Sequence, residues 1–308
     1  NQNLKIFILD LDTGELIRTV DRFNGGYGVG VGGPIAEAFG GRLFTQGLDY
    51  DEDGTTDYII FGYANKNGKN WDGGLLFADV RSKDPYSWNF MRYFEDTRPI
   101  IAKVEYMKCF DKWYAYFGTG RWFYKTDESD IKQSNVIYGV HLNCDKVQGC
   151  HPNLNFAHGS REQCSSNVGV YSWKILLEKN PEGYFPERVI TDPSVTDFNV
   201  IAFVSMEPSG DICGFGGRTR VWALNCATGG ALAEECPQYP IENPQGKILL
   251  QLSGGDIQDI TLKEFRDNSA FSRTSPWMQG TPPPAPPRIV PPAKDEKFSG
   301  EILLWLEK

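Results

Sequence analysis

The sequence predicts an all-β fold, and three observations support that prediction. The 308 residues include 33 glycines and 19 prolines, which divide the chain into short apolar runs. Several of these runs alternate apolar and polar residues, as strands with one buried face do. Long uninterrupted helical periodicity is almost absent. The chain also has 40% hydrophobic residues, enough to bury a large core.

Two stretches predict β-hairpins, "LKIFILDLDTGELI" from Leu4 and "TRVWALNCATGGAL" from Thr219. Each contains an alternating strand, a polar turn ending in Thr-Gly and a returning strand. Further strands are predicted at "GGLLFADV", "NVIYGVHL", "VYSWKILLE" and the closing "GEILLWLEK". Hairpins repeated along the chain favour a radially repeated sheet over a two-sheet sandwich or a β-helix. We therefore predict one β-propeller domain over residues 1–308, with paired terminal strands closing the ring.

A typical blade takes about 40 to 45 residues, so the chain length corresponds to about seven blades. One short helix is predicted at "DITLKEFRDNS", with Asp259 as the candidate N-cap and with Leu262 and Phe265 three residues apart. The proline-rich segment 276–297 predicts a long surface loop between blades, which we favour over a docking peptide.

Seven cysteines favour an oxidising compartment. Three of them lie in a cysteine-rich insertion at 143–165, where disulfides are favoured over a zinc site because no C-x-x-C pair is present. Cys226 and Cys236 are placed to close one hairpin loop, while Cys109 and Cys213 lie in apolar surroundings. The odd count leaves one thiol unpaired, and the pairing stays open.

The net charge of −9 opposes binding to nucleic acid, which requires clustered Lys and Arg. No apolar run approaches the roughly 18 to 20 residues that span a bilayer. The chain begins at Asn1 with neither a methionine nor a signal sequence. We therefore expect a processed chain or the C-terminal part of a longer precursor.

The stretch "DYDEDGTTD" at 49–57 places four aspartates within nine residues. Asp49, Asp51 and Asp53 occupy positions 1, 3 and 5 of a D-x-D-x-D-G pattern, in which a glycine permits the sharp bend. This is the first half of an EF-hand calcium loop. Asp57 stands at position 9, where it can bind a cation directly or through water.

The second half of an EF-hand is missing, because Ile60 occupies position 12 where a bidentate Glu is required. The flanking residues favour strands rather than helices, so we predict a calcium loop on a β-hairpin. The predicted ligands are Asp49, Asp51, Asp53, Thr55 (through its backbone carbonyl) and Asp57. A solvated acidic turn is the less favoured alternative, because four convergent carboxylates repel one another without a cation. Calcium is favoured over magnesium because its larger shell suits five or more protein oxygens.

No recognised catalytic motif is present. Gly28, Gly30 and Gly33 match G-x-G-x-x-G, but Pro34 follows at once and no βαβ unit surrounds them, so a tight glycine-rich turn is predicted. The sequence lacks G-x-S-x-G, H-E-x-x-H and a P-loop, and only three histidines occur. These observations predict that the protein is not an enzyme.

A second acidic stretch, "KTDESD", contains Asp127, Glu128 and Asp130. It lacks the alternating spacing of the first loop. A solvated acidic turn is therefore favoured over a second cation site.

An ordered series of motifs resembles a known family. It comprises the aspartate loop, the strand "GGLLFADV", the run "YFGTGR" from Tyr116 to Arg121, and "YGV" at Tyr138, followed by "FVSMEPSGDICGFGGRTRVWALNCATG" and the terminal "ILLWLEK". In content and order these motifs resemble the C-terminal domain of the PilY-type type IV pilus biogenesis factors. The resemblance covers most of the chain.

The resemblance implies a modified β-propeller at the pilus tip, extracellular after secretion through the periplasm. It implies Ca²⁺ binding, minor pilins and a host or abiotic surface as partners, and a role in pilus biogenesis, adhesion and twitching motility. Calcium occupancy would bias pilus extension against retraction. By motif match the ligands are the five loop residues, while Gly118, Gly120 and Arg121 carry over as a signature whose simplest role is a structural turn.

The chain departs from the family in two ways. Nothing in it resembles the large N-terminal region, often von Willebrand A-like, that family members commonly carry, and its cysteine-rich segment is larger than expected. Two alternatives remain: a free-standing secreted adhesin or lectin-like propeller, and a quinoprotein-like propeller enzyme. The enzyme is less favoured, because the chain lacks an adjacent Cys-Cys pair and a regular tryptophan repeat.

Overall fold

A computed structural model defines the fold. It describes residues 2–26, 32–43, 47–68, 70–123, 127, 134–145, 147–158, 172–179, 181–196, 198–211, 215–232, 240–241, 244–267, 277–282 and 287–291. Across these ranges the chain forms twenty strands, one short α-helix and one 3₁₀ turn, which confirms the all-β prediction. The strands form five sheets, numbered 1 to 5 in chain order, and none of the five is closed. No helix in the same ranges is both long enough and apolar enough to cross a bilayer.

Sheets 1 and 2 come from the first third of the chain. Sheet 1 is an antiparallel hairpin of β1 (Ile6–Leu9) and β2 (Leu16–Val20), as predicted. Sheet 2 has the order β3-β7-β6-β5-β4. Its strands are β3 (Asn24–Gly25), β4 (Ala38–Gly40), β5 (Tyr58–Asn67), β6 (Asn70–Asp79) and β7 (Asn89–Thr97). The 3₁₀ turn, Pro85–Ser87, precedes β7.

Sheets 3, 4 and 5 follow along the chain. Sheet 3 has the order β12-β13-β10-β9-β8, with β11 also paired to β10. Its strands are β8 (Glu105–Cys109), β9 (Lys112–Gly118), β10 (Val136–Asp145), β11 (Gly149–Pro152), β12 (Phe156–His158) and β13 (Ser172–Leu176). The remaining elements are β14 (Ser194–Val195), β15 (Val200–Pro208), β16 (Gly217–Asn225), β17 (Lys247–Gln251), β18 (Ile257–Thr261), α1 (Leu262–Asp267), β19 (Met278–Gln279) and β20 (Arg288–Val290). Sheet 4 has the order β14-β15-β16-β19, and sheet 5 has the order β18-β17-β20.

An apolar core lies between each pair of consecutive sheets. The inner sheets are covered on both faces, which explains why strands such as β5 and β15 carry apolar residues on both faces. On β6, Leu75 and Phe77 enter the core shared with sheet 3, while Leu76 and Ala78 enter the core shared with sheet 1. Such alternation follows from the two-residue period of a strand.

Backbone contacts join the sheets where "YFGTGR" lies. Gly120 forms a parallel bridge with Ile100, and its N–H donates to the Pro99 carbonyl at 2.8 Å. A Cβ on Gly118 would lie 2.4 Å from the Cβ of Val189, so only glycine permits this approach. The signature therefore has a packing role, consistent with the structural turn expected from the sequence.

Two disulfides lie within the described residues, Cys109–Cys226 and Cys144–Cys150. The proposed closure of a hairpin by Cys226 and Cys236 is wrong, because Cys226 bonds to Cys109, 117 residues away. Packing of sheet 4 on sheet 3 brings their Cα atoms to 6.0 Å, within normal disulfide reach. The bonded Cys144–Cys150 pair agrees with the preference for disulfides over zinc. Cys164, Cys213 and Cys236 lie outside the described residues.

The predicted short helix is present as α1, but the predicted cap is wrong. Thr261 caps it: the Glu264 N–H donates to the Thr261 hydroxyl at 3.2 Å, and the Thr261 N–H donates to the Glu264 carboxylate at 2.9 Å. This reciprocal pair is a capping box. Asp259 lies within β18 instead, where it forms an ion pair with Lys247 at 2.6 Å.

The proline-rich segment 276–297, predicted to be a long surface loop, contains sheet structure. Within 276–297, β19 pairs with β16 and β20 pairs with β17, so this segment adds strands to two sheets. The described part of 143–165 likewise contains the end of β10, together with β11 and β12. The predicted closing strand "EILLWLEK" lies outside the described residues, as do Gly28 and Gly30.

We predict that the two disulfides stabilise the fold unequally. Cross-linking restricts the unfolded chain more when the closed loop is longer. Replacing both Cys109 and Cys226 with alanine should lower the free energy of unfolding by about 5 kcal/mol, against about 2 kcal/mol for Cys144 and Cys150. Denaturant unfolding of the two double variants tests this order. Equal losses would contradict the prediction.

Candidate metal centre

The aspartate loop lies between β4 and β5, closed at its neck by a single antiparallel bridge. The Leu48 N–H donates to the Tyr58 carbonyl at 2.7 Å, and the Tyr58 N–H donates to the Leu48 carbonyl at 3.1 Å. β5 begins at Tyr58, immediately after Asp57. The loop therefore leads directly into the predicted strand on its C-terminal side, while Leu48 alone forms a β-bridge in the described residues just before it.

Three carboxylates of the loop converge. One oxygen from each of Asp49, Asp51 and Asp57 lies within 4.8 Å of the other two. Asp57 is buried, Asp49 is half-buried and Asp51 is exposed. Carboxylate oxygens are hard ligands, and three of them around one point can hold a divalent cation such as Ca²⁺ or Mg²⁺.

Asp49 folds the loop back on itself. Its Oδ1 accepts a hydrogen bond from the Asp53 N–H at 3.1 Å, and its Oδ2 accepts one from the Gly54 N–H at 2.8 Å. Gly54 has a φ of 89°, in the left-handed region that glycine adopts readily. The glycine at position 6 thus makes the sharp bend for which the sequence pattern provides.

Asp53 is not part of the converging group of carboxylates, and its carboxylate bonds to Thr55 instead. The Asp53 Oδ1 accepts hydrogen bonds from the Thr55 hydroxyl at 2.6 Å and from the Thr55 N–H at 2.8 Å. Both bonds lower the pKa of Asp53, and the bond from the Thr55 hydroxyl has the larger effect. The structure thus brings together three of the five predicted ligands, and participation of Asp53 and Thr55 stays a prediction.

Asp57 is the buried carboxylate of the loop. Its side chain is buried, and its Oδ2 accepts a hydrogen bond from the Tyr50 N–H at 3.0 Å. Burial raises the pKa of Asp57, and repulsion from Asp51, Asp49 and Asp53 raises it further, against the opposing effect of the Tyr50 bond. A bound cation would offset both the burial and the repulsion.

The loop is anchored to the neighbouring sheet. The Trp113 indole N–H on β9 donates to the Tyr50 carbonyl at 3.0 Å, and the Tyr50 hydroxyl donates to the Asp145 carbonyl at 3.3 Å. Lys108 on β8 forms an ion pair with Glu52 at 2.7 Å. A loop that belongs to sheet 2 is therefore held by sheet 3. Tyr50 is the only one of these anchors signalled locally, as an aromatic residue among the aspartates.

The second acidic stretch is only partly described. Asp127 is buried and forms an ion pair with Arg121, whose guanidinium carbon lies 3.8 Å from the centre of the Trp71 ring. Arg121 therefore neutralises the Asp127 carboxylate, and no metal ion is needed for that. Glu128 and Asp130 lie outside the described residues.

Comparisons with known proteins add no relative. No protein-family model and no curated protein matches the chain. The resemblance to the PilY-type family therefore rests on the ordered motifs alone.

Replacing Asp57 by asparagine should relieve repulsion in the metal-free loop while keeping an oxygen that accepts from Tyr50. In the presence of a chelator, we expect the free energy of unfolding of Asp57→Asn to equal that of the wild type or to exceed it by up to about 1 kcal/mol. Asp57→Ala, which leaves the Tyr50 N–H without this acceptor, should be about 1 kcal/mol less stable than wild type. Denaturant unfolding in EDTA checks both. Equal destabilisation by the two variants would show that the charge of Asp57 is not costly.

Proposed function

We propose that this protein is a non-enzymatic, calcium-binding component of a type IV pilus tip. The observation that carries the proposal is the convergence of Asp49, Asp51 and Asp57 in a loop anchored to the next sheet. The ordered resemblance to PilY-type factors supplies the setting. In this role the protein supports pilus assembly, adhesion and twitching motility, with minor pilins and a host or abiotic surface as its partners.

We further propose that the five sheets are blades of a modified β-propeller of about seven blades. The support is their order: each sheet is built mainly from strands adjacent in sequence, and consecutive sheets share a core. Propellers repeat such packing around an axis. A radial arrangement would also account for contacts between distant segments, such as the ion pair of Arg42 with Asp192 at 2.5 Å.

In the proposed mechanism, Asp49, Asp51 and Asp57 hold the cation, with Asp53 and Thr55 as further predicted ligands. Calcium supplies positive charge that cancels carboxylate repulsion. The loop's own residues transmit the effect: Tyr50 is bonded to Asp57 through its N–H and to Trp113 through its carbonyl. Ordering the loop would thereby stiffen the junction between sheets 2 and 3, and a surface formed there would become competent for a partner.

An extracellular location is part of the proposal. Two disulfides are typical of proteins that fold in an oxidising compartment, such as the periplasm through which pilus components pass. Extracellular calcium modules often bind at about 10⁻⁴ to 10⁻³ M. An affinity in that range would let environmental calcium bias pilus extension against retraction.

Calcium titration tests the metal site directly. With a dissociation constant in that range, about 10 mM Ca²⁺ should raise the free energy of unfolding of the wild type by about 1.4 to 2.7 kcal/mol. Asp51→Asn should abolish both the calorimetric signal and this gain. Asp53→Ala should weaken binding if Asp53 joins the shell on metal binding, and leave it unchanged if the triad is sufficient. Asp10→Asn, in a polar turn outside the loop, is the matched control. Full calcium binding by Asp51→Asn would refute the assignment.

The pilus role has a separate test in a type IV piliated bacterium that encodes this chain. Deleting the gene should reduce surface piliation and twitching, and wild type or Asp10→Asn should restore both. Asp51→Asn should restore them incompletely, in proportion to its loss of calcium binding. Immunogold labelling should place the wild-type protein at pilus ends. Normal piliation in the deletion strain, or label absent from pili, would contradict the role.

A further inference from the structure

A cleft of about 810 Å³ lies between sheets 2 and 3 and differs in character from the aspartate loop. One wall is formed by Gly25 and Gly26 with Met91 and Tyr93 of β7. The opposite wall is the β10–β11 hairpin and the residues that follow it. The volume is within the range of small-ligand sites, about 300 to 1,000 Å³.

Hydrogen-bonding side chains dominate the hairpin wall. Four carboxamides line it, together with one carboxylate and one imidazole: Asn143, Gln148, Asn153, Asn155, Asp145 and His151. The side-chain carboxamides of Asn143, Gln148 and Asn155 make no hydrogen bonds to other groups among the described residues. Each carboxamide offers two donors and an acceptor to a ligand.

The hairpin presents these groups on a rigid frame. Asn143 and His151 are directly opposite each other in the β10–β11 pairing, and the neighbouring pair is the Cys144–Cys150 disulfide. The Asp145 Oδ1 accepts hydrogen bonds from the Val147 N–H at 2.8 Å and from the Gln148 N–H at 2.6 Å, which holds the turn. A wall fixed in this way loses little conformational entropy when a ligand binds.

The glycine wall packs closely against β7. A Cβ on Gly26 would lie 2.5 Å from the Arg92 carbonyl oxygen and 2.7 Å from the Tyr93 ring. Backbone therefore lies directly against the ring at this point, without a side chain between them. The Gly26 N–H donates to the same Arg92 carbonyl at 3.0 Å, which ties this wall to sheet 2.

The charge of the cleft restricts the ligand. No Lys or Arg is among the described residues that line it, and Asp145 is its one carboxylate. Among the described lining residues, His151 alone can carry positive charge, so an anionic ligand would find no permanently charged cation there, and a metal ion would lack convergent acidic ligands. Neutral molecules with many hydroxyl groups match a wall of carboxamides, while Met91 and Leu154 offer apolar contact to C–H surfaces.

We propose that this cleft binds a neutral saccharide through the carboxamides of the β10–β11 hairpin. The inference deepens the proposed adhesin role and rests on it for the claim that the saccharide belongs to a target surface. The rim adjoins the aspartate loop, because the Asp145 carbonyl accepts the hydrogen bond from the Tyr50 hydroxyl. Cation binding in the loop therefore acts on the backbone that carries the cleft.

Saccharide binding by the purified, disulfide-bonded chain tests the proposal. The probes are arrays of neutral, sialylated and sulfated oligosaccharides, with mammalian glycans and bacterial polysaccharides as separate arms that distinguish the source. We expect retention of neutral saccharides in preference to acidic ones. No retention of any neutral saccharide, or preference for acidic ones, would overturn the proposal.

Variants locate the site. Asn143→Ala and Gln148→Ala should each lower the affinity for the most tightly bound neutral saccharide by about five- to twenty-fold, as expected for loss of one or two hydrogen bonds. Both residues are exposed, and thermal unfolding checks that each variant is folded. Asn3→Ala, at a separate cleft beside β4, is the matched control and should bind like wild type. Wild-type affinity in both cleft variants would overturn the proposal.

Repeating the measurement in calcium and in EDTA separates this proposal from the loop. Weaker saccharide binding in EDTA than in calcium supports both the saccharide site in the cleft and its connection to the aspartate loop through Tyr50. Equal, cleft-dependent binding in both conditions still supports the saccharide site. The pilus experiment stands apart, because a saccharide-binding chain that is absent from pili would contradict only the pilus role.

Discussion

Consecutive sheets pack face to face, and this packing positions both the loops and the cores of the protein. Each inner sheet divides its side chains between two cores, as β15 does with Phe203 on one face and Val204 on the other. Burial of apolar surface contributes about 25 cal/mol per Å², and a sheet covered on both faces gains it twice. Removing one sheet would therefore expose the apolar faces of both its neighbours. The loops that lie where two sheets meet are positioned by this packing.

The aspartate loop shows why the junctions matter. Its charges are concentrated by local sequence, yet its position is determined by Trp113 and Lys108, which belong to another sheet. The buried carboxylate of Asp57 is bonded to the backbone of Tyr50, the residue that Trp113 holds. A change of charge in the loop consequently affects the contact between Tyr50 of the loop and Trp113 of sheet 3, and not only the hydration of the loop. The polar cleft lies at the same junction, so the two proposed sites share a single structural support.

Local features were predicted well where neighbouring residues decide them. The first hairpin, the short helix and the bend at Gly54 each depend on residues close in sequence. Prediction failed where a distant segment competes. The sequence offers Cys236 as a partner for Cys226 because no local signal points to Cys109. It predicts a loop for the proline-rich segment because nothing nearby shows that its short strands add to two sheets. The cap at Thr261 was missed because β18 extends through Asp259.

The all-β class, the carboxylate spacing that makes a cation site chemically reasonable and the lack of recognised catalytic motifs can all be read from the sequence. These properties depend on alternation and on short-range spacing, which a linear pattern records. The convergence of three particular aspartates, the residues that anchor them and the carboxamide-lined cleft beside them emerge only in the folded chain. Sheet packing brings together residues far apart in the chain, and because apolar burial is non-directional, a sequence pattern does not specify which faces will meet.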